Sequence, residues 1–437
     1  MTTSMTANEL REALKGREGT AALESLYGGG FESDASGALE RQQLRCRALV
    51  DRFDSTFPRA SGLKFFSAPG RTEICGNHTD HNGGRVLAAA VAHDVIAVAA
   101  PTSDGLITIE SEGYQRQSIN LEDLARRESE MSAAIALTRG VLARFKSLGH
   151  GVGGFCACVT SDVLKGSGLS SSAAYEVLVG TILNHLFNQG AVDALQIALI
   201  GQYSENEYFG KPCGLMDQTT SAVGGFVTID FKDFAHPVVQ AVRLEFAGSG
   251  YIPVLVDTGG SHADLTDDYA AVKREMKDVA RSLGGTVLRE TTRARMLAEL
   301  PRIRERAGDR AVLRALHFFA DDERVVQEVE ALEAGRFEAF LKLVRDSGRS
   351  SWMLLQNCYS TRAPREQGVP LALSLSEEVL GDAGAWRVHG GGFAGTILAF
   401  APEQKLEEYL DTMRPVFGPG SCHVLTIRSS GAVMLPL

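Results

Sequence analysis

The chain has 437 residues, 44% of them hydrophobic and 22% charged, ordinary values for a globular protein of two or three domains at about 150 residues each. They exclude a disordered chain, a collagen and a small disulfide-stapled scaffold. With 44 basic and 54 acidic residues the net charge is −10, which leaves no electrostatic footprint for nucleic acid.

In chain order, residues 1–57 read as charged helix interrupted at Gly28-Gly29-Gly30. Leu63 to Ser67 and Val95 to Ala99 read as strands, with a turn at Ser67-Ala68-Pro69-Gly70 and a polar loop between them. Leu106 to Ser111 predicts a strand, Met131 to Leu148 a helix, and Phe155 to Thr160 a strand. The loop from Leu164 to Ser172 leads into Ala173 to Phe187, apolar nearly all round and therefore a buried helix that Asn188-Gln189-Gly190 ends. Leu195 to Phe209 predicts a helix, Phe226 to Phe231 and Ile252 to Asp257 strands, and Asp264 to Leu283 a helix. Residues 288–345 are mostly helical, and a further helix closes at Glu377 to Gly381. Arg387 to Phe400 reads as strand, glycine loop, strand, and Val424 to Ile427 and Ala432 to Leu435 as the last strands. This mixture predicts an α+β fold in two parts, 1–245 and 246–437.

Seven cysteines, an odd number without a C-x-x-C, fit reduced thiols and no zinc site. The N-terminus lacks the apolar core of a signal peptide, and the longest apolar run, Val86 to Ala100, is broken by His93 and Asp94. A cytoplasmic protein without membrane segments is expected.

Forty-six glycines exceed the usual share of about 7%, and several cluster in segments that can carry chemistry. Lys165-Gly166-Ser167-Gly168-Leu169-Ser170-Ser171-Ser172 lies between a strand and a buried helix. Backbone N–H groups, serine hydroxyls and a helix N-terminus there form a phosphate site, with a serine among the candidate Mg2+ ligands; a plain N-capping serine loop is the alternative. It is not a Walker A loop, because no Gly-Lys-Ser/Thr closes it. Asp217, in Pro212-Cys213-Gly214-Leu215-Met216-Asp217-Gln218, could equally be a helix N-cap. Pro69 to Gly84 gathers Arg71, Asn77, His78, Asp80 and His81, groups able to hydrogen-bond a polyol or merely to line a surface loop. The run Gly390-x-Gly392-x-x-Gly395 matches a dinucleotide fingerprint literally, but a strand follows it where that fingerprint needs a helix.

The order and spacing of these segments resemble the galactokinase family of the GHMP small-molecule kinase superfamily, from about Phe65 to Leu437. Arg71-x-x-x-x-Gly76-x-His78-Thr79-Asp80-x-Asn82-x-Gly84 is similar to the sugar-site signature, Gly168 to Ala173 to the phosphate loop, Cys213 to Gln218 to the segment of the catalytic aspartate, and Gly390 to Gly395 to the third superfamily motif. The resemblance implies a ribosomal-S5-domain-2-like N-terminal domain, a ferredoxin-like C-terminal domain and an active site in the cleft between them. It implies an ATP-dependent sugar 1-kinase making α-D-galactose 1-phosphate, with Mg2+, acting as a monomer. Asp217 would take the proton of the anomeric hydroxyl and Arg71 would keep it ionised. Gly166, Ser167, Gly168, Leu169, Ser170, Ser171 and Ser172 would bind ATP, and Ser172 and Glu205 would hold Mg2+. Asn77, His78, Asp80, Gly214 and Tyr269 would contact the sugar; Tyr269 is alternatively a helix core residue.

Three departures stand out. Galactokinases usually carry Glu at the place of Asn77, so a sugar with a carboxylate at C6, such as galacturonate, or another galactose derivative is an alternative acceptor. His81 replaces the signature's Tyr. Ala134 and Leu137 replace the Trp-x-x-Tyr of the adenine site. A non-catalytic sugar- and ATP-binding sensor is the reading from another class, and the filled positions 71, 172 and 217 speak against it.

Overall fold

The computed structural model describes residues 5–28, 35–164, 168–244, 246–260 and 265–437. The chain opens with three helices, α1 (Ala7–Lys15), α2 (Arg17–Tyr27) and α3 (Ala35–Thr56). There follow β1 (Lys64–Cys75), β2 (Arg85–Pro101), β3 (Leu106–Ser111), β4 (Gln117–Asn120), α4 (Ala134–Ser147), β5 (Phe155–Ser161), α5 (Ser171–Phe187), α6 (Ala194–Tyr203), α7 (Met216–Val223), β6 (Phe226–Asp230) and β7 (Val238–Val242). The second part contains β8 (Tyr251–Asp257), α8 (Thr266–Ser282), α9 (Arg293–Ala298), α10 (Leu300–Ala307), α11 (Asp309–Glu333), α12 (Phe337–Ser350), α13 (Gly368–Leu380), β9 (Ala385–Val388), β10 (Thr396–Pro402), α14 (Leu406–Phe417), β11 (Cys422–Val424) and β12 (Val433–Met434).

Two sheets organise this material. The larger has the order β12-β1-β2-β5-β3-β4, with β6 also on β2 and β7 on β6. Strand β2 is Val- and Ala-rich and almost wholly buried because both faces of the sheet are covered. Side chains alternate between two cores. Val95, Ala97 and Ala99 pack with α5 residues such as Val177 and Leu178, while Ile96, Val98 and Ala100 pack under Leu10, Leu23, Leu49 and Phe53 of the N-terminal helices. The smaller sheet runs β11-β8-β10-β9, all antiparallel. Numbered within that half, its order is 4-1-3-2, the ferredoxin-like arrangement expected. The chain then crosses back, and β12 pairs with β1 at Phe66↔Met434 and Ser67↔Val433.

Three expectations need correction. The turn at 67–70 is absent, and β1 runs through it to Cys75. A register shift between Pro69 and Arg71 absorbs the proline, whose missing N–H is tolerated at a bulge. The segment from Arg71 to Asn77 is therefore buried, not a surface loop. The strand expected at 424–427 ends at Val424, and Ile427 makes only an isolated bridge to Val91. None of the seven cysteines forms a disulfide. Among the described residues, no helix is long and apolar enough to cross a membrane.

Candidate active site

The site forms where the end of β1, the N-terminus of α5, the start of α7 and the glycine loop 390–395 converge. Arg71 reaches Asp217 with two bonds, Nε to Oδ1 at 2.8 Å and Nη2 to Oδ2 at 2.5 Å. Such a bidentate fork fixes the carboxylate in orientation as well as position. Arg71 also donates from its side chain to the Gly168 carbonyl and from its backbone N–H to the Leu169 carbonyl at 3.0 Å. Ser170 Oγ donates to Asp217 Oδ2 at 2.6 Å. Burial pushes the Asp217 carboxyl up, but the Arg71 charge and the Ser170 hydroxyl outweigh it and hold the group below the usual aspartate value. Asp217 lies in the first turn of α7 and is not its cap; that place falls to Leu215.

Ser170 precedes α5 with a left-handed φ of 61° and makes no side-chain cap. The N-capping alternative is thereby removed, and its hydroxyl is spent on Asp217 instead. Ser171 and Ser172 begin α5 and line a cavity of about 610 Å3 whose apolar wall includes Ala134, Leu137, Val159, Tyr175 and Phe209. Gly168 and Leu169 complete the described part of the loop; Lys165, Gly166 and Ser167 lie outside the described residues.

Ser172 Oγ donates to Glu205 Oε1 at 3.0 Å. Glu205 sits in a π-helical turn, Ser204–Phe209, that continues α6; such turns re-aim side chains at functional sites. The turn is anchored by Ser204, whose hydroxyl donates to the Leu137 carbonyl at 2.6 Å. Gly140 permits this close approach, because a Cβ there would lie 2.4 Å from Ser204 Oγ. A hydroxyl and a carboxylate side by side are hard oxygen donors, and this pair fits Mg2+ when phosphate oxygens and water complete its shell. Around them the sequence reading missed three residues. Gln218 Nε2 donates to Glu205 Oε2 at 2.9 Å and to Glu176 Oε2 at 3.0 Å, and Lys211 Nζ lies 3.4 Å from Glu205. Burial first, then the Glu205 charge, raises the Glu176 carboxyl well above its ordinary value. Gln218 directly follows Asp217 in the segment singled out above, and that adjacency was the available signal.

Asp80 lies against Gly214, three residues ahead of Asp217 in the chain. Its carboxylate makes no hydrogen bond to a described residue, and His81 Nδ1 is 3.6 Å away. Gly214 lies against it, for a Cβ there would sit 2.7 Å from Asp80 Oδ2. Both border a cavity of about 340 Å3. His78 adopts a φ of 59°, packs its ring on Tyr269 at 6.4 Å, and approaches the Gly391 carbonyl at 2.9 Å through Nε2. Desolvation, then His81, lowers its pKa to about 4, so the ring is neutral at neutral pH. Tyr269 is half-buried on α8 and donates to the Gly392 carbonyl at 3.0 Å.

Asn77 has a different setting. It is 1% exposed. Its Nδ2 donates to Glu73 Oε1 at 2.7 Å and to the Gly390 carbonyl at 2.6 Å, and its Oδ1 accepts from Asn357 Nδ2 at 2.6 Å. The amide is thus fully engaged with protein. Glu73 is paired in turn with the buried Arg387 at 3.1 Å. Arg387 and Asn357 are distant in sequence, so nothing local marked them.

Residues 51–101 match the galactokinase galactose-binding signature, and residues 135–225 match the GHMP kinases N-terminal domain. Among solved structures, the galactokinase of Lactococcus lactis complexed with galactose superposes with a TM-score of 0.75 at 23% identity, covering 88% of this chain and 98% of that one. The mevalonate kinase of Methanococcus jannaschii gives 0.58 at 15% identity, covering 83% and 98%. The phosphomevalonate kinase of Streptococcus pneumoniae, in complex with phosphomevalonate and AMPPNP, gives 0.57 at 14% identity, covering 85% and 99%. The galactokinase galactose-binding signature and the GHMP kinase N-terminal domain thus match residues 51–101 and 135–225 of a chain whose fold is similar to that of solved galactokinase and mevalonate kinase structures.

Proposed function

We propose that the protein is an ATP-dependent sugar 1-kinase that converts D-galactose to α-D-galactose 1-phosphate. The observation that carries this reading is the Arg71–Asp217 fork, set directly against Gly168, Leu169 and Ser170 of the phosphate loop. An ionised carboxylate beside a triphosphate cradle accepts a hydrogen bond from an incoming hydroxyl. It takes that proton as the new O–P bond forms and the bond between the γ-phosphorus and the β-bridging oxygen breaks, releasing ADP. Arg71 spans the acceptor and the loop, and its charge favours the negative charge that spreads over the transferring group. Ser172 and Glu205 would hold Mg2+, which when bound neutralises phosphate charge. The cavity beside Ser171 and Ser172 suits the nucleoside of ATP. Ala134 and Leu137 line it, so aliphatic packing replaces the missing aromatic pair.

Asp80, with a carboxylate free to accept two hydroxyls, supports a polyol acceptor next to Asp217. Gly214 borders the same cavity as Asp80, and we take His78 and Tyr269, stacked on each other, as further sugar contacts. The engagement of Asn77 favours galactose over a uronic acid. Both hydrogens of its amide are spent on Glu73 and Gly390, which leaves no donor there for a C6 carboxylate. The intact Arg71–Asp217 pair favours an enzyme over a sensor. We take the chain as two parts, 1–245 and 246–437, the second returning β12 to the first sheet, and as a cytoplasmic monomer. An ADP-release assay over galactose, galacturonate, galactosamine and glucose tests the reading. Galactose should turn over fastest at saturating ATP, and preferred turnover of galacturonate would overturn the choice of acceptor.

A further inference from the structure

Helices α1 to α3 lie almost wholly ahead of the segments that carry the family's motifs, and the reaction described above uses none of them. Their packing explains most of their presence, because Leu10, Leu23, Leu49 and Phe53 cover one face of the large sheet. Two polar side chains of α3 do something else. Arg45 Nη1 donates to Asp94 Oδ1 at 2.7 Å and to Asp162 Oδ2 at 3.1 Å, and its Nη2 donates to the Asp94 carbonyl at 2.9 Å. Gln42 Nε2 donates to the same Asp162 Oδ2 at 3.0 Å and its Oε1 accepts from Arg45 at 3.0 Å.

Asp162 is not a core residue. Its side chain is 29% exposed, and it lines the cavity of about 610 Å3 beside Ser171 and Ser172. It directly follows β5, where the chain turns toward the phosphate loop. Among the described residues lining that cavity, the charged ones are Glu112 and Asp162, both acidic. A nucleoside cavity that meets the phosphate loop at Ser171 and Ser172 is ill served by carboxylates, which repel the neighbouring polyanion unless cations stand behind them. Asp94 has a second arginine, Arg428, at 3.1 Å, and hydrogen bonds from Tyr27 and Ser67. Asp162 has Arg45 as its arginine partner.

We propose that Arg45 and Gln42 are positioning residues for the nucleotide: Arg45 neutralises the Asp162 carboxylate at the cavity wall, and Gln42 orients it together with the Asp94 backbone N–H, which donates to its Oδ1 at 2.6 Å. The N-terminal helical layer is then part of the nucleotide site although it touches no substrate. The inference rests on the reading of that cavity as the ATP site.

The test is calorimetric titration of the full chain with a non-hydrolysable ATP analogue and Mg2+, without sugar. Arg45→Met should weaken binding roughly three- to tenfold, the effect of one uncompensated charge on a triphosphate through a largely aqueous path. The loss should shrink as salt is raised. Adding Asp162→Asn to Arg45→Met should restore the affinity, and Arg45→Lys should retain most of it. A merely structural role would lower the melting temperature and leave the affinity of the folded protein, and its salt dependence, unchanged. Gln42→Ala leaves both arginines on Asp94 and decides the matter if Arg45→Met does not fold; it should weaken binding about twofold, in the same salt-dependent way. Unchanged affinity in Arg45→Met, or in Gln42→Ala when it is the variant available, would overturn the inference, as would a double variant no tighter than Arg45→Met. An unaltered chain that binds no nucleotide would instead overturn the kinase reading.

Discussion

Replacing Asp217 by asparagine removes a charge and keeps a shape. Two N–H groups of Arg71 and the hydroxyl of Ser170 all point at this carboxylate. Asparagine has one oxygen and one NH2 there. Its favourable orientation places Oδ1 on Arg71 and Nδ2 on Ser170, whose hydroxyl can turn to accept. One charge-assisted bond is then lost, worth about 2 kcal/mol. For a chain of this length the unfolding entropy is about 0.9 kcal/mol/K, so the melting temperature should fall by only about 2 °C. Turnover should fall much further, by about 100-fold or more, because the proton acceptor is gone. Affinity for an ATP analogue should change little. Steady-state ADP release, paired with a thermal melt of the same sample, separates the two effects. Turnover within tenfold of the unaltered chain, at a similar melting temperature, would refute the assignment of Asp217.

Other perturbations follow from the same geometry. Ser172→Ala removes one of the two hard donors beside the phosphate loop, and the Mg2+ concentration for half-maximal rate should rise roughly tenfold, read from a Mg2+ titration of turnover. Gly392→Ala should destabilise by about 2 kcal/mol or more and raise the sugar KM, because its φ is +76° and a Cβ would meet the Asn357 carbonyl at 2.2 Å; denaturant melts and sugar kinetics check both. Burial raises the Glu73 carboxyl to about 6, with Arg387 and Asn77 pulling the other way. The folded value exceeds the unfolded one, so Glu73 imposes no cost below about pH 4. Its ionisation should cost about 2 kcal/mol as the pH rises through about 6. Comparing melts of Glu73→Gln and the unaltered chain at pH 4.5 and 7.5 should therefore show the variant gaining relative stability at the higher pH.

Much of this was legible in the residues because it is local. Leu106 to Ser111 was read as a strand with the bounds it has, and the all-round apolar run after Ser172 marked α5 as buried. The candidate site was legible as four glycine- and acid-bearing segments, since phosphate loops and sugar signatures are short and contiguous. What was not legible depends on partners far along the chain. Pro69-Gly70 resembles a turn until β2 and a bulge accommodate it. Asn77 resembles an open ligand position until Glu73, Asn357 and Gly390 close on it. The π-helical turn that aims Glu205 is set by its contact with α4, through Ser204 and Leu137, and no helical periodicity reports that. The return of β12 to β1 is equally non-local.

In the proposed reaction this cleft moves the γ-phosphoryl group of ATP onto the anomeric oxygen of galactose. Phosphorus NMR of the products from D-galactose, ATP and Mg2+ tests it most directly. ADP and α-D-galactose 1-phosphate should form in equal amounts, with Asp217→Asn yielding neither at a comparable rate. Phosphate on another oxygen of the sugar, or no transfer to galactose from ATP by the unaltered chain, would contradict it.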